Sequence, residues 1–228
     1  MQLYIGNKNY SSWSMRPWVA LRQFGIPFKE VMLRFDGLGP ESRFKQSLAK
    51  VSPAGTVPVL VDDGFAVWDT LAIAEYLAEK FPAHALWPRD VKARARARSL
   101  CAEMHGGFRA LRSACSMNIE ASLPAIGQRI WAEQAAVRDD LARLVSAWED
   151  ALAASGGPFL FGAFSMADAY FAPVVSRIRT YGLPLPADAA AWAERVWASD
   201  GVSAWVAEAL AEQDFVDFDE PYRRSRAD

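Results

Sequence analysis

The chain is 228 residues long, 52% hydrophobic and 23% charged, with 25 basic against 27 acidic side chains and a net charge of −2. A chain of this length makes one or two domains and buries enough core to stand without a metal or disulfide staple. The near-balance of charge excludes a global drive toward nucleic acid or an anionic membrane, and no apolar run approaches the roughly 20 residues that span a bilayer.

The opening residues, MQLYIGNKNYSSW, lack the apolar segment of a signal peptide, which places the expected protein in the cytoplasm. Gln2–Gly6 reads as a strand, and Ser14–Gly25 as a helix, with Trp18, Leu21 and Phe24 at near-helical spacing and Gly25 as its stop. Phe28–Leu33 reads as a second strand, so a strand–helix–strand crossover is expected. A helix follows over Glu41–Lys50. Val57–Val61 and Phe65–Trp68 flank Asp62-Asp63-Gly64, a hairpin signal, and Asp69–Lys80 closes the unit as an amphipathic helix. The two prolines and absent periodicity of Phe81–Asp90 mark a linker. Beyond it every pattern is helical: Lys92–Asn118, Ala125–Ser155, Ser165–Tyr181, Ala187–Ser199 and Val202–Gln213, then a polar, irregular tail after Asp214. The predicted organisation is an α/β domain over residues 1–80, a linker over 81–91, and an all-helical domain over 92–228.

Two cysteines, Cys101 and Cys115, are too few for a disulfide framework. Their separation of about four helical turns predicts one face of one helix and no bond between them. With only His84 and His105 and no clustered Cys, no metal site is expected. Lys92, Arg94, Arg96 and Arg98 alternate with alanine, which spreads the charge around a helix and predicts a solvated face with no nucleic-acid partner.

Three short stretches carry chemistry. Ser11-Ser12-Trp13-Ser14 precedes the first helix; its serines read as capping material or as hydroxyl donors to an anion at the helix start. Such a donor, with the helix dipole, stabilises a thiolate over a thiol and makes it nucleophilic at neutral pH. Pro58 interrupts a strand-like run. It reads as an edge-strand proline or as a cis bond that leaves the backbone of Val57 free to pair with an extended peptide. Asp69-Thr70 opens the last helix of the α/β unit, either as a plain N-cap or as a site for a ligand carrying both a carboxylate and an ammonium group. Ser165 and Asp168 form a capping box.

In this order the stretches resemble the cytosolic glutathione transferase superfamily along essentially the whole chain. Ser11-Ser12-Trp13-Ser14-Met15-Arg16 is similar to the serine motif of the zeta class. Val51-Ser52-Pro53-Ala54-Gly55-Thr56-Val57-Pro58 is similar to the approach to the family's cis-proline, and Ser165-Met166-Ala167-Asp168 to its C-terminal capping box. The sequence departs from the zeta pattern at Trp13, where that class has cysteine. It departs again at Thr56, at Asp69-Thr70 in place of Glu-Ser, and at Arg179, one position from the zeta arginine.

The resemblance implies an N-terminal thioredoxin-like domain followed by the helical bundle of glutathione transferases, usually as a homodimer. It implies glutathione as co-substrate and a role in detoxification. Ser11, with Ser12 as its rival, is then the catalytic hydroxyl; Trp13, Val57, Pro58, Asp69 and Thr70 bind glutathione, and Lys45 or Lys50 meets its glycyl carboxylate. The second-substrate wall is expected from Met104, Phe108, Arg112 and Cys115. The expected activity is attack of a serine-stabilised glutathione thiolate on a small, apolar electrophile. Glutathione-dependent cis–trans isomerisation of the maleylacetoacetate type, or a non-catalytic adaptor role, are the alternatives.

Overall fold

The computed structural model describes all 228 residues. The N-terminal part is a four-stranded sheet in the order β2-β1-β3-β4, built from β1 (Gln2–Ile5), β2 (Lys29–Met32), β3 (Val59–Asp62) and β4 (Phe65–Trp68). β1 and β2 pair in parallel through the crossover helix α1 (Ser12–Gln23), while β1–β3 and β3–β4 are antiparallel. The last pair turns through Asp63 and Gly64, both at positive φ (48° and 86°), the conformation a tight two-residue hairpin requires. Alternation along the strands sorts side chains to two faces. Leu3, Ile5 and Leu60 join the main core with α1 and α3 (Thr70–Lys80). Val59 packs on the other face against Phe44 and Leu48 of α2 (Arg43–Leu48).

Asp62 ends β3 buried, accepting the Tyr76 hydroxyl at 2.6 Å and pairing with Lys80 of α3. The Lys80 ammonium, and then the Tyr76 hydroxyl, hold its carboxyl below the usual aspartate range. A depressed native pKa contributes stability that is full above the ordinary aspartate value of about 4 and is lost as pH falls through the native value. Asp62→Asn therefore flattens the acid limb of a plot of melting temperature against pH; an unaltered limb would refute this role.

The C-terminal part is helical: α4 (Val91–Gly106), α5 (Arg109–Ala114), α6 (Pro124–Glu133), α7 (Ala135–Ser155), α8 (Met166–Tyr181), α9 (Ala187–Trp197) and α10 (Asp200–Glu212). α1 packs on both α8 and α10, so one continuous hydrophobic core joins the two parts. At Gly201 the approach of α10 to α1 is so close that a Cβ would lie 2.5 Å from the Val19 carbonyl oxygen. The capping box at Ser165 and Asp168 is formed, and α8 behind it is buried along nearly its whole length.

Several sequence expectations are corrected. The helix expected over Lys92–Asn118 is two, α4 and α5. A Cβ on Gly107 would meet the Glu103 carbonyl oxygen at 2.7 Å, and Phe108 takes φ 55°, so the chain turns there. Cys101 therefore lies in α4 and Cys115 at the C-cap of α5; both are buried and free. The helix expected over Ala125–Ser155 breaks at Gln134, which is extended, and Arg138 from α7 caps the end of α6 by donating to the Trp131 and Ala132 carbonyls. The tail after Asp214 is polar but held. The Glu220 carboxylate, buried, accepts from the Tyr10 hydroxyl at 2.7 Å, Asn118 Nδ2 at 2.8 Å and Arg223 Nη2 at 2.5 Å.

Candidate functional site

A cleft of about 560 Å³ opens where the β1–α1 loop, the β3 approach, the start of α3, the α4–α5 corner and the tail converge. Ser11, Ser12, Trp13, Val57, Pro58, Asp69 and Thr70 all line it. The three stretches separated in sequence thus share one wall.

Ser11 is the residue at the N-cap position of α1, and its side chain does not cap the helix. Its Oγ lies 2.7 Å from Ser14 Oγ, which in turn accepts the Gly6 N–H at 3.1 Å. Ser12, half-buried, is the first residue of α1. Trp13 is edge-on to His105 (4.9 Å between centroids), with the Arg16 and Arg112 guanidinium carbons 4.3 and 5.0 Å from its ring. The Val57–Pro58 peptide is cis, and neither the N–H nor the C=O of Val57 takes part in a backbone hydrogen bond. A free amide edge of this kind suits an added extended strand.

Asp69 caps α3 by accepting the Leu71 N–H at 2.8 Å, and its other oxygen stands 3.2 Å from His105 Nε2. It does so at φ 73° and ψ 134°, a backbone state that for a non-glycine residue is strained by about 1–3 kcal/mol and typically persists where function requires it. Thr70 is buried, its hydroxyl bonded to that of Tyr170 on α8. Of the two lysines expected near the site, Lys45 lines the cleft, with Nζ donating to the Gly55 carbonyl at 2.6 Å, whereas Lys50 is exposed outside it.

The expected second-substrate wall is largely corrected. Arg112 lines the cleft; Met104, Phe108 and Cys115 face the core at 2%, 8% and 0% exposure. Met104 is on the buried face of α4, Phe108 and Cys115 are buried at the two ends of α5, and burial pushes the Cys115 thiol up to about 12. In their place the wall carries His105, Ser116, Met117, Arg177 and Asp219. Arg177 and Asp219 went unread because nothing in the sequence shows that α8 and the tail reach the cleft. No cluster of three or more His, Cys, Asp or Glu is arranged to hold a metal ion, and no helix is long and apolar enough to cross a membrane.

Residues 10–80 match the family model described as glutathione S-transferase, N-terminal domain, and residues 131–208 match the glutathione S-transferase, C-terminal domain, together well over half of the chain. The chain belongs to the glutathione S-transferase superfamily. It is similar to glutathione S-transferase 1 of Dianthus caryophyllus, 29% identical over 189 residues, which cover 81% of this chain and 80% of that one. It is also similar to the maleylacetoacetate isomerase of Rattus norvegicus, 27% identical over 184 residues and 80% of each chain. A glutathione transferase homologue from Burkholderia, solved with bound glutathione, superposes with a TM-score of 0.70 at 28% identity, covering 92% of this chain and 98% of that one.

The fold is therefore the thioredoxin-like domain and helical domain of a glutathione S-transferase. Behind the cleft of this transferase Arg16 is fully buried between the rings of Trp13 and Tyr170, with Nε and Nη1 unpartnered. Burial lowers its pKa to about 10, which leaves it cationic at neutral pH. Its charge adds to the positive potential behind the serine loop.

Proposed function

We propose that this glutathione transferase holds glutathione along the wall formed by Ser11, Val57, Asp69 and Thr70, and uses the Ser11 hydroxyl to stabilise the glutathione thiolate for attack on a small electrophile. The observation that carries the reading is the convergence of a hydroxyl loop, an unpaired amide edge at Val57 and an acid-capped helix start on one cleft. Each piece suits one part of the tripeptide. The Val57 amide edge matches the cysteinyl backbone, Asp69 the γ-glutamyl ammonium, the start of α3 with Thr70 its carboxylate, and Lys45 the glycyl carboxylate. Trp13 and Pro58 shape the floor between them.

Ser11 is favoured over Ser12 by its neighbours. Ser14 Oγ accepts both the Gly6 N–H and the Ser11 hydroxyl, which fixes Ser11 at the mouth of the helix; with glutathione bound, the Ser11 proton turns from Ser14 to sulfur.

Isomerisation of a cis-enone dicarboxylate, in which the thiol adds, permits rotation and leaves, is the second reading, favoured by the similarity to the rat maleylacetoacetate isomerase. A homodimer is part of the proposal, supported by the exposed aromatic side chains Phe65 (63%) and Trp68 (42%) on the edge strand β4. So are a cytoplasmic setting, supported by two unpaired cysteines, and the division at residues 80 and 92, supported by the change from sheet to helices.

Calorimetry with glutathione tests the core of the reading. Wild type binds, and Asp69→Ala weakens binding by about tenfold or more, the worth of a charge-assisted bond. A wild-type protein with no affinity for glutathione would leave only the adaptor role.

A further inference from the structure

The acceptor end of the cleft is cationic in a way the apolar-electrophile expectation does not account for. Arg177 on α8 is 7% exposed, and its Nη1 donates only to the carbonyls of Cys115 and, at 3.3 Å, Arg112. Arg112 on α5 likewise donates only to carbonyls, those of His105 and Gly107, at 3.3 and 3.2 Å. Neither guanidinium forms an ion pair with a carboxylate of the chain, although twelve other side-chain pairs do form. A second cavity of about 510 Å³ adjoins the first, sharing Trp13, His105, Arg112 and Arg177 in its wall and adding Arg109, with no carboxylate among its lining residues. This positive region stands on a chain whose net charge is −2.

Burying a guanidinium without a counter-charge is unfavourable, and an anion brought by a ligand is what relieves it. Burial lowers the Arg177 pKa to about 10, still cationic at neutral pH. Asp69 and Asp219 are the carboxylates that line the first cleft; Asp219, on the tail, is near enough for the Arg177 charge to draw its carboxyl down against the larger effect of burial, but makes no ion pair with either arginine. Ser12 of the serine loop lines both cavities.

We infer that the acceptor substrate carries a carboxylate, which docks between Arg112 and Arg177 while its electrophilic carbon faces the serine loop. The inference rests on the glutathione reading above and names the substrate class of that site, whether conjugation or isomerisation follows. With an aryl chloride as acceptor, the thiol first loses its proton to solvent. The thiolate sulfur then forms the carbon–sulfur bond, and chloride departs with the electron pair of the broken carbon–chlorine bond.

The test pairs a chlorodinitrobenzoate with its methyl ester, which differ in charge and share the reacting carbon. Wild type prefers the carboxylate in kcat/KM by about tenfold or more, the ratio a charge-assisted bond supplies. In Arg177→Gln and in Arg112→Gln that ratio falls toward one, chiefly through KM, and Arg177→Lys restores most of it. Arg112→Gln, nearer the surface, keeps the test intact if Arg177→Gln does not fold. An equal or inverted preference in wild type, or a ratio unmoved in both glutamine variants, overturns the inference while the transferase reading stands. Binding of the unreactive dinitrobenzoate to glutathione-free protein, followed by quenching of tryptophan fluorescence, is the separate arm. Tighter binding than its ester sustains the anion site even if glutathione itself fails to bind, and equal binding of the two removes it.

Discussion

Ser11→Ala lowers conjugation at neutral pH by about ten- to hundredfold, with the loss confined to pH values below the shifted thiol pKa. A hydrogen bond to a charged group is worth about 1.5–3 kcal/mol, which corresponds to a rise of about one to two units in the pKa of bound glutathione. The sign follows from which form accepts the bond. Removing a donor to the thiolate destabilises the charged form alone, so the pKa rises and the thiolate fraction at neutral pH falls in proportion. Above the new pKa the thiolate is again complete and the rate converges on wild type. Affinity for glutathione measured at low pH, where the thiol is protonated in both proteins, changes little. Ser14→Ala gives a smaller change, since it removes the acceptor that positions Ser11 and leaves the Ser11 donor in place. Ultraviolet titration of the bound thiolate reads the pKa directly. If Ser11→Ala is silent and Ser12→Ala shifts the profile, the donor is Ser12; if both are silent, the serine mechanism is wrong.

Asp168→Ala is expected to destabilise the fold more than any other single change, by about 3–5 kcal/mol, the range for breaking a buried polar network. Its fully buried carboxylate accepts the Leu160 N–H at 3.1 Å, the Ser165 N–H at 2.9 Å, the Ser165 hydroxyl at 3.1 Å and the Trp192 indole N–H at 3.0 Å. Alanine orphans these donors in a place water does not reach. It frees at once the loop before α8, the cap of α8 and the docking of α9. At about 2–4 °C per kcal/mol for a chain of this size, the melting temperature falls by about 10 °C. A shift under about 2 °C would show that Asp168 is an ordinary cap. Asparagine does not rescue fully, because it presents an amide group where two of the four donors already point.

The capping box that contains Asp168 was legible from local sequence, because Ser165 and Asp168 satisfy each other's neighbourhood within one turn. The hairpin at Asp63-Gly64 and the three stretches of the cleft were legible for the same reason: the turn chemistry and helix starts are written within a few residues. What escaped is non-local. The break at Gln134 has no glycine or proline to announce it, and the extended residue there is held by Arg138 from the following helix. Tyr10, Asn118 and Glu220 meet around one carboxylate from three distant parts of the chain, and burial with the Glu220 bond raises the Tyr10 pKa to about 12. Arg177 lay four residues beyond Pro173 in a run that reads as core, and only the packing of α8 beside the α4–α5 corner brings it to the cleft wall. The break at Gly107 was visible as a glycine pair, but periodicity carried across it was read as one helix, and that error misplaced Phe108 and Cys115.

Lys8, at the end of the first strand–loop connection, sits 3% exposed with its ammonium 5.0 and 5.7 Å from the rings of Trp18 and Trp205. It bonds to Glu30 at 2.6 Å on one side and to Glu208 of α10 on the other, and the Lys8 N–H and C=O bond to Glu212 and Trp205. A chimera that joins residues 1–80 to the helical half of another transferase therefore keeps Glu30 but leaves the buried ammonium without its second carboxylate, and the Lys8 N–H without its acceptor, unless glutamates equivalent to Glu208 and Glu212 come with the new partner. Modular recombination within this superfamily is constrained at this seam, and libraries built by swapping halves should carry α10 with the N-terminal piece.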